Sequence, residues 1–158
     1  MNKNAAIQQV ITVLEEKVVT LLSAMEQTVD AATNEETIPD NKYDTLALEA
    51  AYLAHGQAMR LEEVKKDIST LRNLVVRSFS DDTPIGLSAM VDLEDDKESV
   101  CRYILLPCGG GVSIGSDNLR VVTPESPLGR SLVGRRLDDE VSIQVGDNIN
   151  HLVIVNIA

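Results

Sequence analysis

The stretch IQQVITVLEEKVVTLLSAMEQTVDAA, from Ile7 to Ala32, decides the first half of the chain. Its apolar or small residues fall at Ile7, Ile11, Leu14, Val18, Leu21, Met25, Thr28 and Ala32. Alternating steps of four and three are the seam of a helix packed along one partner. Gly and Pro are absent from Met1 through Ile38, so nothing breaks this helix early. Stop signals follow in Asn34 to Asn41, where Pro39 cannot continue a helix and biases Ile38 toward extended backbone. A second helix is expected from near Asn41 to about Val76, with its clearest seam at Leu61, Val64, Ile68, Leu71 and Val75. Upstream the seam uses Leu46, Ala50 and Leu53, and its phase slips around Gly56-Gln57.

Neither helix can bury its stripe alone, so the two fold back on each other. The expected first domain, residues 1–76, is an antiparallel helical hairpin (a coiled coil) with its tip near 34–44. Arms of about 30 residues, at 1.5 Å per residue, give a rod on the order of 45 Å. Residues 77–84, with Pro84 at their end, form a polar connector. The period then changes from helix to strand. Leu87–Leu93 and Val100–Leu106 read as a strand pair around the turn Glu94 to Lys97, with short strands at Val112–Ile114 and Leu119–Val122. Ser126-Pro127 supplies a helix cap and a proline at the first helical position, and Gly134 a stop. Val141, Ile143 and Val145 share one strand face, Gly146-Asp147-Asn148 turns the chain, and Leu152–Ile157 closes the sheet. Residues 85–158 are therefore a small α+β domain, and the fold class is α+β.

The composition narrows the function. Twenty-five Asp and Glu against fourteen Lys and Arg give a formal net charge of −11 over 158 residues. Direct nucleic-acid binding, sequence-specific binding included, is not expected, because phosphate contacts need clustered cations. A partner with a basic surface fits instead. Aromatics are 3% of the chain, too few for base-stacking platforms. No apolar run approaches the roughly 20 residues of a membrane span, and no secretory pattern opens the chain, so a cytoplasmic protein without membrane contact is expected. Cys101 and Cys108 form no CxxC pair and are expected to be quiet packing residues.

Three motifs invite a chemical reading. The glycines from Gly109 to Gly115 lack the Lys-Ser/Thr of a phosphate loop and read as turns. His55 and His151 have no serine and acid arranged for nucleophilic catalysis. The hairpin tip is more informative. Between Asp30 and Glu49 stand six acids (Asp30, Glu35, Glu36, Asp40, Asp44 and Glu49) and one base, Lys42. They form either a solvated loop or a set of carboxylates presented to something cationic. Mg²⁺ takes carboxylate oxygens and is commonly shared between partners, so such a tip could complete a metal site it does not own.

Two stretches resemble the GreA/GreB transcript cleavage factors. Val121 to Gly134, VVTPESPLGRSLVG, followed by Asp138-Asp139-Glu140-Val141, resembles the family's "S-P-hydrophobic-x-x-A-L-hydrophobic-G" helix and its acid-bearing next strand. Asp40-Asn41, then Ala47-Leu48-Glu49 through Gly56, follow its "E-N … A-x-E … G" pattern. The segment Pro39 to Thr45 looks like a divergent Gre-like branch. The resemblance implies an FKBP-like second domain that docks on RNA polymerase at the rim of the secondary channel, through Ser126, Pro127 and Leu128. It also implies a coiled coil whose tip acids help hold the polymerase's Mg²⁺ for cleavage of backtracked RNA. Asp40 falls at the family's tip Glu before Asn. The other tip acid falls on Thr37, with Glu36 beside it; Glu35 and Asp44 are weaker candidates. The implied protein is no enzyme itself, holds no metal or cofactor alone, and shares Mg²⁺ with the polymerase. Loss of the acid at Thr37 leaves open a Gre-like regulator or inhibitor that occupies the channel without cleavage. The seam alone also allows a coiled-coil adaptor with no polymerase contact. It can be satisfied within or between chains, and a monomer is the working expectation.

Overall fold

The computed structural model describes residues 2–33 and 45–158. The elements are α1 (Lys3–Thr33), α2 (Thr45–Arg72), β1 (Met90–Glu94), β2 (Val100–Leu105), β3 (Ser113–Ile114), β4 (Leu119–Val122), α3 (Pro127–Leu132), β5 (Glu140–Val145) and β6 (Asn148–Ile157). They fall into two compact units, Met1–Ile11 with Thr70–Ala158, and Thr12–Ser69. A helical hairpin is thus followed by a mixed-sheet domain, the α+β class expected.

Asn2 starts α1: its side-chain oxygen accepts from the Asn4 amide at 2.8 Å and its carbonyl from the Ala6 amide at 2.9 Å. In the helical unit the α1 seam buries Leu14 and Thr28, with Val18, Leu21 and Met25 half-buried. Thr28 satisfies its hydroxyl by donating to the Ala24 carbonyl at 2.9 Å. On α2 the buried positions are Leu61, Val64 and Ile68. Val13, Lys17 and Leu21 line one groove with Arg60 and Val64, an antiparallel pairing. The upper seam of α2 differs from the sequence expectation. Leu53 is exposed, whereas Ala50, Ala54, Gln57 and Ala58 are half-buried. Ala50, Ala54, Gln57, Leu61, Val64 and Ile68 keep unbroken four-three spacing, so no phase slip occurs. The seam there is made largely of small residues, with a buried Gln57 Oε1 that has no hydrogen-bond partner among the described residues.

Helix α2 stops at Arg72, and the Leu74 amide tightens onto the Leu71 carbonyl at 3.3 Å. Val75 therefore lies beyond the helix and is 76% exposed instead of joining the seam. The following segment is tied to the sheet unit. Lys3 donates to the Arg77 carbonyl, the Arg77 amide donates to Ser88 Oγ at 2.8 Å, and the Phe79 ring receives Lys3 and Arg77 at 4.9 and 5.2 Å.

The sheet runs β3-β4-β2-β1-β6-β5, antiparallel except for the parallel pair β2–β4. Strand β1 begins at Met90, three residues later than expected, because buried Ser88 adopts a positive φ of 71° that ends regular strand geometry. Strand β6 begins at Asn148, four residues early, because a two-residue turn at Gly146-Asp147 pairs Val145 directly with Asn148. Val91, Leu93, Leu105 and Ile154 form one core with Leu132 and Val141. Each such buried aliphatic side chain contributes roughly 1.5–3 kcal/mol relative to exposure. On the opposite face Met90 and Ile104 pair across β1 and β2, both buried. Val10 of α1 approaches Gly109 so closely that an added Cβ would sit 3.2 Å from its Cγ1.

That second face also buries Asp92. Arg102 donates to both carboxylate oxygens, from Nε at 2.7 Å and Nη2 at 3.0 Å, and Asn156 donates at 3.3 Å. A register shift between Asp92 and Leu93 in the β1–β6 pairing puts Asn156 opposite Asp92 while Ile154 enters the core opposite Leu93. The Arg102 hydrogen bond holds the Asp92 carboxyl below its ordinary range against the opposing effect of burial.

Candidate functional site

The start of α3 is built by one capped turn. The Ser126 hydroxyl donates to the Thr123 carbonyl at 2.7 Å and accepts from the Gly129 amide at 3.0 Å. Pro127 takes the first helical position, where its missing N–H has no intrahelical partner to lose. Gly129 is obligatory, because a Cβ there would lie 1.8 Å from the Thr123 carbonyl oxygen. Gly134, with φ 82°, follows the helix as expected, and its amide binds the Ile85 carbonyl at 2.9 Å. Ser126 and Leu128 are half-buried and Pro127 is exposed. Leu128 rests partly against the core, so the three residues are both a structural cap and an accessible surface.

These three residues line an open groove of about 580 Å³. Tyr103 and Arg120, paired across the parallel strands, supply its polar end, and Val122, Ile143 and Val145 supply apolar walls. Burial pushes the Tyr103 phenol above its ordinary range; Cys101 adds to this, while Arg120 pulls the other way. The Ser126–Leu128 side carries a local motif in the sequence, and the other wall does not: the alternation puts Ile143 and Val145 on one strand face, but nothing local brings that face to α3.

The tip candidates Glu35, Glu36, Asp40 and Asp44 lie outside the described residues. Among the described residues, no cluster of three or more His, Cys, Asp or Glu could hold a metal ion. His55 is exposed on α2. His151 does meet a serine and an acid, with Nδ1 2.9 Å from Ser142 Oγ and 3.5 Å from Glu140 Oε1. Both partners address the same ring nitrogen, so no relay runs from acid through imidazole to hydroxyl. Cys101 is exposed and Cys108 half-buried, both as free thiols. No helix among the described residues is long and apolar enough to cross a membrane.

Comparison with known proteins converges on one group. The family model described as "Transcription elongation factor, GreA/GreB, C-term" matches residues 80–158. A curated relative, the transcription elongation factor GreA of Clostridium kluyveri, is 26% identical over 122 residues, covering 75% of this chain and 69% of its own. Among solved structures, GreA factor homolog 1 of Thermus thermophilus is 17% identical, with 94% of each chain covered and a TM-score of 0.41. A GreA/GreB factor of Nitrosomonas europaea is also 17% identical, covering 64% of this chain and 91% of its own, with a TM-score of 0.40.

Proposed function

This chain belongs to the GreA/GreB family of transcription elongation factors, and from that membership we propose that it binds RNA polymerase and acts on the polymerase's own active site. The sheet unit docks through Ser126, Pro127 and Leu128. The hairpin enters the secondary channel, and Asp40 with Glu36 presents carboxylate oxygens to the catalytic Mg²⁺. Those hard oxygen donors suit Mg²⁺, which keeps open positions for shared ligands. They would help hold the ion and position water for cleavage of backtracked RNA. Glu35 and Asp44 stand near enough in sequence to assist. The chain works as an accessory factor, as a monomer, in the compartment of transcription, and makes no sequence-specific contact with nucleic acid.

The observation that carries this proposal is the capped turn at Ser126, lying inside the matched residues 80–158 with Pro127 left exposed. A net charge of −11 supports it, since an acidic factor suits a positively charged channel. The test is RNA cleavage by a backtracked polymerase complex with and without the protein. Stimulation by the wild type and its loss in Asp40→Ala is the expected result. One specific observation favours a second reading, a channel-occupying regulator that does not cleave: Thr37 stands where the family carries its other tip acid. Polymerase binding without cleavage would select it, and absence of binding would leave a coiled-coil adaptor.

A further inference from the structure

The groove beside α3 has a charge character unlike the rest of the chain. Acids outnumber bases by twenty-five to fourteen, yet the groove's lining contains no Asp or Glu, and Arg120 is its one charged side chain. Its apolar wall is left open to solvent: Val145 is 57% exposed, and Pro127 is exposed on the facing side. Arg120 is placed at the polar end by its register opposite Tyr103 across the parallel strands β2 and β4. The wall itself belongs to β5, the edge strand of the sheet, so a chain segment can approach from the side.

We propose that this groove receives a protein segment presenting an apolar side chain beside a carboxylate. The apolar side chain enters between Leu128 and Val145, and the carboxylate meets the Arg120 guanidinium. The inference rests on the polymerase reading above and deepens it by naming the chemistry that the sheet unit takes from the polymerase surface. A cation-bearing segment is disfavoured here even though the protein as a whole is acidic, because the groove offers it no anion. A purely apolar segment would bury the Arg120 charge with no countercharge from the groove lining, which is costly. Continuity with Ser126, Pro127 and Leu128 makes the groove and the capped turn one surface.

The test is equilibrium binding of the chain to core RNA polymerase at low and moderate salt, comparing wild type with Arg120→Glu, Val145→Asp and Asp96→Asn. Arg120 and Val145 are exposed, so neither change disturbs the core, and circular dichroism checks that the fold is kept. The expected result is a tenfold or greater weakening in both groove variants, a shallower salt dependence in Arg120→Glu, and unchanged affinity in Asp96→Asn, which is exposed and lies outside the groove. Wild-type affinity in both groove variants, beside a binding parent, overturns the groove proposal and leaves polymerase binding standing. Failure of the parent itself to bind overturns the polymerase reading and the groove proposal with it.

Discussion

Replacing Asp92 with Asn removes one negative charge from the sheet without changing side-chain shape. The carboxylate is about 10% exposed and accepts three hydrogen bonds, two from Arg102 and one from Asn156. An amide in its place keeps one acceptor and turns an NH₂ toward a donor, so at least one charge-assisted bond is lost. Such a bond contributes about 1.5–3 kcal/mol. Arg102 is partly exposed and recovers some hydration, which places the net loss near the lower end, about 2 kcal/mol. For a chain of this size that lowers Tm by roughly 4–8 °C. The loss depends on pH in a stated direction. The native carboxyl titrates below its unfolded value of 3.8, so the ion pair stabilises fully above that value and fades as pH falls through the native pKa. Urea unfolding at pH 7, 5, 4 and 3, with amide exchange in β1 and β2 as the local readout, checks this. Wild type is expected to exceed Asp92→Asn by about 2 kcal/mol at pH 7, with the gap closing toward pH 3. Equal stability at pH 7, or a gap of constant size down to pH 3, would refute the reasoning.

Two further outcomes follow from the packing. Gln57→Leu removes a buried, unpaired oxygen from the α2 seam and is expected to stabilise the helical unit by about 1–2 kcal/mol, read by urea unfolding; a destabilised variant would mean that Gln57 is hydrogen-bonded in solution. Gly129→Ala drives a methyl into the Thr123 carbonyl and breaks the Ser126 cap, costing about 3 kcal/mol or more by the same assay, and it should weaken polymerase binding as well.

Much of the architecture was written in local pattern. Ile7, Ile11 and Leu14 are buried where the heptad spacing put them, and the Ser126-Pro127 start of α3 falls where the cap signal put it. The upper α2 seam departs from the pattern of large apolar residues because small ones occupy its half-buried positions. Leu53 faces solvent, while Ala50, which the expected seam includes, and Ala54 and Gln57, which it does not, are half-buried. The pairing of β1 with β2 was legible, but its register was not: a turn confined to Glu94–Lys97 would set Asp92 opposite Ser99, whereas the longer turn observed pairs Glu94 with Val100 and so Asp92 with Arg102. The groove was not legible at all. It joins β2, β4 and β5 through a parallel crossover and a sheet order of β3-β4-β2-β1-β6-β5, and such long-range pairing leaves no periodic trace in any one segment.

The most direct measurement is cleavage of RNA in a backtracked polymerase complex, timed with wild type, Asp40→Ala and Glu36→Ala at matched occupancy. Acceleration by the wild type, abolished by Asp40→Ala and reduced by Glu36→Ala, is the predicted result. Equal acceleration by all three proteins would contradict delivery of tip carboxylates to the polymerase's metal.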